Sequence, residues 1–274
     1  MRRFLRIGRA LRIGFVDPIC RRLVAIGFRI EMHGTPPPRD VSCIWACNHS
    51  SHWEPVIALA CARTPLHSLA MVELFCTPLR RFLLKLMLTI PVDRSRNDST
   101  AAREAARRLR DGQQILVFPE GGIRIGANAL PYRKEPLIPG AAYLAALSGA
   151  PILPVYITNG RHGYQLRTWF GQRVRTTVYF GEMLYPTPLP DENRKQTLDR
   201  INHELLESLR MLHRRMLADL LPAGSGSSLA QRQPAQSYRL QPEVDFPPGR
   251  EPCQQQEEQH ARAGGHSEAY TSHP

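Results

Sequence analysis

Short runs suited to buried strands alternate along this chain with stretches of helical periodicity, and that alternation limits the fold more than any other feature. Val41-Ser42-Cys43-Ile44-Trp45-Ala46, Gln114 to Phe118 and Pro151 to Ile157 read as core strands. Phe28 to Met32, Leu66 to Val72, Thr89 to Val92 and Val174 to Phe180 add further strands. Helices fall between them. One follows Pro55 through Val56-Ile57-Ala58-Leu59-Ala60, with proline in its first turn. A second starts at Thr77-Pro78, a cap followed by proline, and carries Leu79, Phe82, Leu83 and Leu86. A third is capped by Asp98 or Ser99, turns Ala102, Ala105, Ala106 and Leu109 inward, and stops at Asp111-Gly112. Pro139-Gly140 leads a fourth through Leu147. A long last helix, about Asp191 to Leu220, places Leu198, Ile201, Leu205, Leu209 and Leu212 on one face. The pattern predicts an α/β fold with a central, largely parallel sheet flanked by helices. Ligands of such sheets bind beyond the carboxyl ends of the strands. His49, Arg94 and the loop of Glu120 each follow a strand, so one mouth can hold all three.

The segment Asn48-His49-Ser50-Ser51-His52-Trp53-Glu54 lies where a strand gives way to a helix. There the helix dipole favours an ionised carboxylate at Glu54. An acid that folds back onto the imidazole of His49 fixes its tautomer and stabilises its protonated form. That is the arrangement of a histidine general base that activates a hydroxyl.

The chain has 274 residues with 42% hydrophobic content, enough for one sizeable domain. From Pro222 to Pro274 it is rich in Gln, Pro, Ser, Gly and His, without periodicity, and reads as a disordered tail. The tail carries four arginines and six acids, a net of −2, so a chain with a formal net charge of +12 has a body at about +14. Such a body attracts anions: phosphate, nucleic acid or an acidic membrane surface. Lysine occurs only at positions 85, 134 and 195, and arginine, whose fork suits bidentate phosphate contacts, supplies the remaining positive charge. No nucleic-acid module or interleaved aromatic platform accompanies the charge, which speaks against nucleic acid as partner.

The cysteines (Cys20, Cys43, Cys47, Cys61, Cys76 and Cys253) show no disulfide spacing and fit a reduced, cytoplasmic setting. Cys43 and Cys47 share a strand face near His49 and His52, but no second ligand pair completes a zinc pattern. No apolar run reaches the ~20 residues needed to span a bilayer. Residues 1–30 instead hold eight arginines and one acid. Phe4, Ile7 and Leu11, then Ile19, Leu23 and Ile26, form helical apolar faces among those arginines. Residues 1–27 therefore read as an arm that lies on an anionic membrane surface, 28–221 as the folded domain and 222–274 as the tail.

Four segments, in order, carry a resemblance. They are Asn48-His49 through Glu54; Ile90-Pro91-Val92-Asp93-Arg94; Phe118-Pro119-Glu120-Gly121-Gly122-Ile123-Arg124; and Ala150-Pro151-Ile152-Leu153-Pro154-Val155. Over about residues 25–215 the chain resembles the glycerolipid acyltransferase family. The family's blocks are Asn-His-x-x-x-x-Asp, an apolar strand ending in arginine, Phe-Pro-Glu-Gly-Thr-Arg, and a proline-flanked apolar strand. The resemblance implies that His49 deprotonates an acceptor hydroxyl and that Glu54 orients it. It implies that Arg94 holds the acceptor phosphate, and that Glu120, Gly121 and Gly122 shape the acceptor loop, with backbone N–H groups open to an anion. The implied reaction moves a fatty acyl group from acyl-CoA or acyl-carrier protein to a lysophospholipid. The implied acceptor is 1-acyl-sn-glycerol-3-phosphate and the product phosphatidic acid. The enzyme would sit peripherally on the cytoplasmic face of a membrane, with no metal or bound cofactor.

The chain departs from the family pattern twice. Glu54 replaces the aspartate, and restoring Asp there is expected to be tolerated. Gly122-Ile123 replaces Thr-Arg, and arginine arrives one residue late as Arg124. These departures leave open a different lysolipid acceptor, such as an amino-acid lipid, or a lipid-binding relative that has lost catalysis.

Overall fold

A computed structural model describes residues 16–93, 99–124, 129–158 and 173–220. Helix α1 (Asp17–Gly27) runs without a break into β1 (Phe28–His33). After β2 (Ile44–Cys47) come α2 (Glu54–Cys61), β3 (Leu66–Met71), a 3-10 turn (Val72–Phe75), α3 (Pro78–Leu86) and β4 (Ile90–Val92). α4 (Ser99–Arg110), β5 (Gln114–Val117), α5 (Gly140–Ser148), β6 (Ile152–Ile157), β7 (Val174–Phe180) and α6 (Arg194–Asp219) follow. The strands form one seven-stranded sheet in the order β1-β7-β6-β2-β5-β3-β4. From β6 to β4 all neighbours are parallel; β7 is antiparallel to β6 and carries β1 parallel to itself. The mostly parallel, helix-flanked sheet is the α/β architecture that the alternation predicts.

β2 sits inside the sheet, between β5 and β6, and all four of its residues are buried. Ile44 and Ala46 face one core with α4, α5 and α6. Cys43, Trp45 and Cys47 face the other, beneath α1 and α2. This is the period-two consequence of extended backbone. Burial pushes the Cys43 and Cys61 thiols up to about 12, so both behave as small apolar groups. At the edge away from the site, Gln114 fastens the start of β2. It accepts from Trp45 Nε1 (3.1 Å) and donates to the carbonyls of Pro38 and Val41 (3.0 and 2.8 Å).

Pro154 lies in a central strand, where a missing N–H ordinarily breaks the ladder. Its carbonyl accepts from Gly181, just past the end of β7. In extended backbone the N–H and carbonyl of one residue point the same way. The absent donor therefore faces the place where β7 has already ended.

Three details differ from the sequence reading. In α4 the buried alanine is Ala101, not Ala102, because the face that meets the sheet runs through 101, 105 and 109 at helical spacing. Arg108, on that helix, is 9% exposed and donates to the Leu88 carbonyl (2.7 Å), contacts His67 Nδ1 (2.7 Å) and pairs with Glu104 (2.9 Å). No periodicity argument anticipates a buried arginine. Finally, α1 is seated on the domain: Val24 is buried, and Arg21 donates to the Ala62 carbonyl at 2.6 Å. The boundary placed at residue 27 thus falls in continuous structure. Ile19, Leu23 and Ile26 remain exposed on the outer side of α1. The rest of the arm, residues 1–15, lies outside the described residues, as do Arg94 and the tail. The chain divides into two units, Met1–Leu221 and Pro222–Pro274.

Candidate active site

The carboxyl ends of β2 and β5, adjacent and parallel, bring His49 and Glu120 together as the strand order requires. Asn48 fixes the end of β2. Its side chain donates to the Ile157 carbonyl (3.0 Å) and accepts from the Ile157 N–H (2.7 Å), which extends the pairing with β6 by one side chain. The next residue, His49, then leaves the sheet at a defined point.

His49 Nδ1 lies 3.3 Å from Glu54 Oε2. Glu54 is the first residue of α2 and is completely buried. Its longer side chain folds back through the loop and collects donors. Ser51 N–H donates to Oε2 at 2.6 Å, and the hydroxyls of Ser50 and Ser51 donate to Oε1 at 2.7 and 3.0 Å. The Ser51 hydroxyl in turn accepts from the Trp53 N–H at 3.1 Å. A buried carboxylate costs free energy unless its lone pairs are met, and here they are met. Because Nδ1 faces the acid, the neutral imidazole carries its proton there, and Nε2 is the basic nitrogen. Phe118 stacks on the ring with centroids 4.0 Å apart and planes at 22°, which holds the remaining torsion. The histidine side chain is 15% exposed, so its ring is reachable while the Glu54 carboxylate is not.

Glu120 does not reach outward to a ligand. It is 2% exposed, and its Oε1 accepts the His49 backbone N–H at 2.6 Å. Burial pushes its pKa up to about 7, and the Glu54 charge adds to the rise. The His49 N–H, the Arg133 guanidinium and the Leu130 N–H work against it. The Gly121 N–H, expected to face an anion, instead closes a turn onto the Phe118 carbonyl at 3.0 Å, with Gly121 at φ 78°. That positive φ is why glycine stands there. Gly122 is half-buried next to it, with open space where a Cβ would point. Arg124 donates its backbone N–H to the His49 carbonyl at 2.8 Å, so the third block lies directly against the histidine loop; its side chain is exposed. His49, Glu54, Glu120, Gly121, Gly122 and Arg124 thus share one mouth, and Arg94 lies outside the described residues. Sequence reasoning missed the parts played by Ser50, Ser51, Asn48 and Phe118. The available signal was the pair of small hydroxyls between the histidine and an acid one methylene too long.

A histidine whose far nitrogen is held by a buried, fully solvated-by-protein carboxylate can take a proton from a hydroxyl and return it to a leaving group. Residues 29–158 match the family model described as Acyltransferase. The 1-acyl-sn-glycerol-3-phosphate acyltransferase of Bacillus subtilis (strain 168) is 25% identical over 181 residues, 65% of this chain and 85% of that protein. That of Borreliella burgdorferi is 24% identical over 186 residues, 67% of this chain and 72% of its own. The crystal structure of the 1-acyl-sn-glycerophosphate acyltransferase PlsC from Thermotoga maritima shares the fold. Its TM-score is 0.56 at 19% identity, covering 75% of this chain and 81% of that one.

Proposed function

We propose a function from the premise that the chain is an acyltransferase, with the family's domain over residues 29–158. It moves a fatty acyl group from a thioester, acyl-CoA or acyl-carrier protein, to the hydroxyl of 1-acyl-sn-glycerol-3-phosphate, giving phosphatidic acid. The observation that carries this reading is the His49–Glu54 pair at the carboxyl end of the innermost parallel strand. His49 Nε2 takes the proton of the acceptor hydroxyl as its oxygen attacks the thioester carbonyl. The new C–O bond forms, the C–S bond breaks, and His49 gives its proton to the departing thiolate, which leaves as the thiol and returns the imidazole to its neutral form. Glu54 stabilises the imidazolium between these steps. The relatives' names supply the acceptor. The basic body and the exposed Arg124 suit its phosphate, and Arg94 is the second phosphate ligand. A lipid acceptor and the basic, apolar sequence of residues 1–27 support a peripheral position on the cytoplasmic face of an anionic membrane.

The test is a matrix of acceptors and donors with purified protein. Lysophosphatidate is compared with a lysolipid lacking the phosphate, each with acyl-CoA and with acyl-carrier protein. Transfer restricted to the phosphate-bearing acceptor supports the reading. Preference for the phosphate-free acceptor assigns the site to another lysolipid, and no transfer from either donor to either acceptor rejects it.

A further inference from the structure

α3 is built unlike the other described helices. None of its residues is buried, although it is rich in leucine. Leu79, Phe82 and Leu83 are 67%, 63% and 47% exposed. In the preceding 3-10 turn, Val72 and Leu74 are also exposed. Large apolar side chains gathered on one short segment mark an interaction surface, since scattered ones carry no such meaning. The segment is held at its ends. Thr77 accepts from the Arg80 N–H at the start (3.3 Å), and past the far end the Leu88 carbonyl is fastened by Arg108 (2.7 Å). The helix is thus fixed in place but unclothed.

The cations on it decide what covers it. Arg80, Arg81 and Lys85 are exposed among the apolar side chains. Among the described residues none of the three is in an ion pair; Arg80 and Arg81 reach only Cys76 Sγ and the Phe75 carbonyl. Apolar groups with unpaired cations beside them match the interface of an anionic bilayer, where the rings and aliphatic chains enter and the cations meet headgroups. The topology agrees. Both crossovers, β2 to β3 through α2 and β3 to β4 through α3, advance the same way along the sheet. Right-handed connections put both helices on the same face. α1, with Ile19, Leu23 and Ile26 exposed, packs on that face too. The turn Val72–Phe75 leaves β3 at the carboxyl edge, the edge on which His49 stands.

We propose that the segment from Val72 to Leu86 is a second lipid-seating surface, whose occupant is an anionic bilayer. It is distinct from the arginine-rich N-terminal arm and sets the His49 mouth against the membrane. The proposal rests on reading the substrate as a lipid, but its test needs no turnover.

Full-length Phe82→Trp is mixed with vesicles of phosphatidylcholine alone and of phosphatidylcholine with phosphatidylglycerol. The added tryptophan is read as a difference spectrum against the parent. The expected result is a blue shift with the anionic vesicles and quenching by brominated acyl chains. In parallel, the triple variant Leu79→Ser, Phe82→Ser, Leu83→Ser, which touches no buried residue, should keep its fold and lose about tenfold or more in vesicle partitioning. Tryptophan emission that stays water-like while the protein floats with the vesicles overturns the proposal. So does a blue shift that depends on protein concentration without lipid, which means a second copy, or one produced by acyl-carrier protein instead of vesicles. Loss of acyl transfer with these readouts intact would count against the function and leave this surface standing.

Discussion

Glu54 reaches His49 across 3.3 Å while its two oxygens also accept from Ser50 and Ser51, and this crowding fixes what the position tolerates. The family's aspartate is one methylene shorter and cannot satisfy both sets of contacts from the same backbone. The expectation that Asp is accepted here therefore gives way: Glu54→Asp should lower kcat/KM on the order of 10- to 100-fold, as displacement near an ångström does. A steady-state rate within about threefold of the parent would show that the loop re-forms around the shorter acid. Glu120 gives a second prediction, in pH. Its folded pKa of about 7 lies above the value of a free glutamate, so the folded state holds the extra proton between about 4.5 and 7. Stability from this group is fully present below that window and is lost as pH rises through 7. Glu120→Gln keeps an acceptor for the His49 N–H and removes the charge. It should gain on the parent as pH rises from 5 to 8, by at most roughly 3 kcal/mol. Denaturant unfolding at both pH values reads this directly, and a gap that does not widen with pH would mean the carboxyl is not the titrating group.

At the scale of elements, the site depends on where β2 stops. Asn48 ties that point to Ile157 through two hydrogen bonds. Asn48→Ala should cost about 1–3 kcal/mol in unfolding, since it leaves buried backbone groups unpaired. It should also lower kcat more than it raises KM, because His49 loses its fixed exit from the strand. An unchanged kcat would make Asn48 a purely structural residue. The elements themselves were legible. Strands from β2 to β7 and helices from α2 to α6 lie within a few residues of where periodicity, Thr77-Pro78 and Asp111-Gly112 placed them. What was not legible were contacts that periodicity does not encode. Arg108 is buried because α4 brings it to a carbonyl and an imidazole from other elements. Glu120 turns inward because Gly121 tightens the loop. The serines around Glu54 depend on a fold-back that no spacing rule specifies.

For the whole molecule, the described elements end by Asp219, and His49, Glu54 and Glu120 all lie in the first unit. Removal of residues 222–274 should leave kcat/KM within about twofold and the unfolding midpoint nearly unchanged. A collapse of either would give the tail a role in the fold or the site. The contact between His49 and Glu54 was readable as a hypothesis from those two residues alone, and the order of four short blocks made it specific. The strand order then explains why these distant blocks meet: β2 and β5 are neighbours although α2, α3 and α4 lie between them in sequence. The central claim is that His49 is the base for acyl transfer. Its most direct test is the transfer of a labelled acyl group to lysophosphatidate from acyl-CoA or acyl-carrier protein, with the parent and His49→Ala run side by side. The account predicts transfer by the parent and a fall of roughly 10²–10⁴-fold in the variant, with the unfolding transition retained. Transfer by a folded His49→Ala protein at close to the parent rate would contradict it.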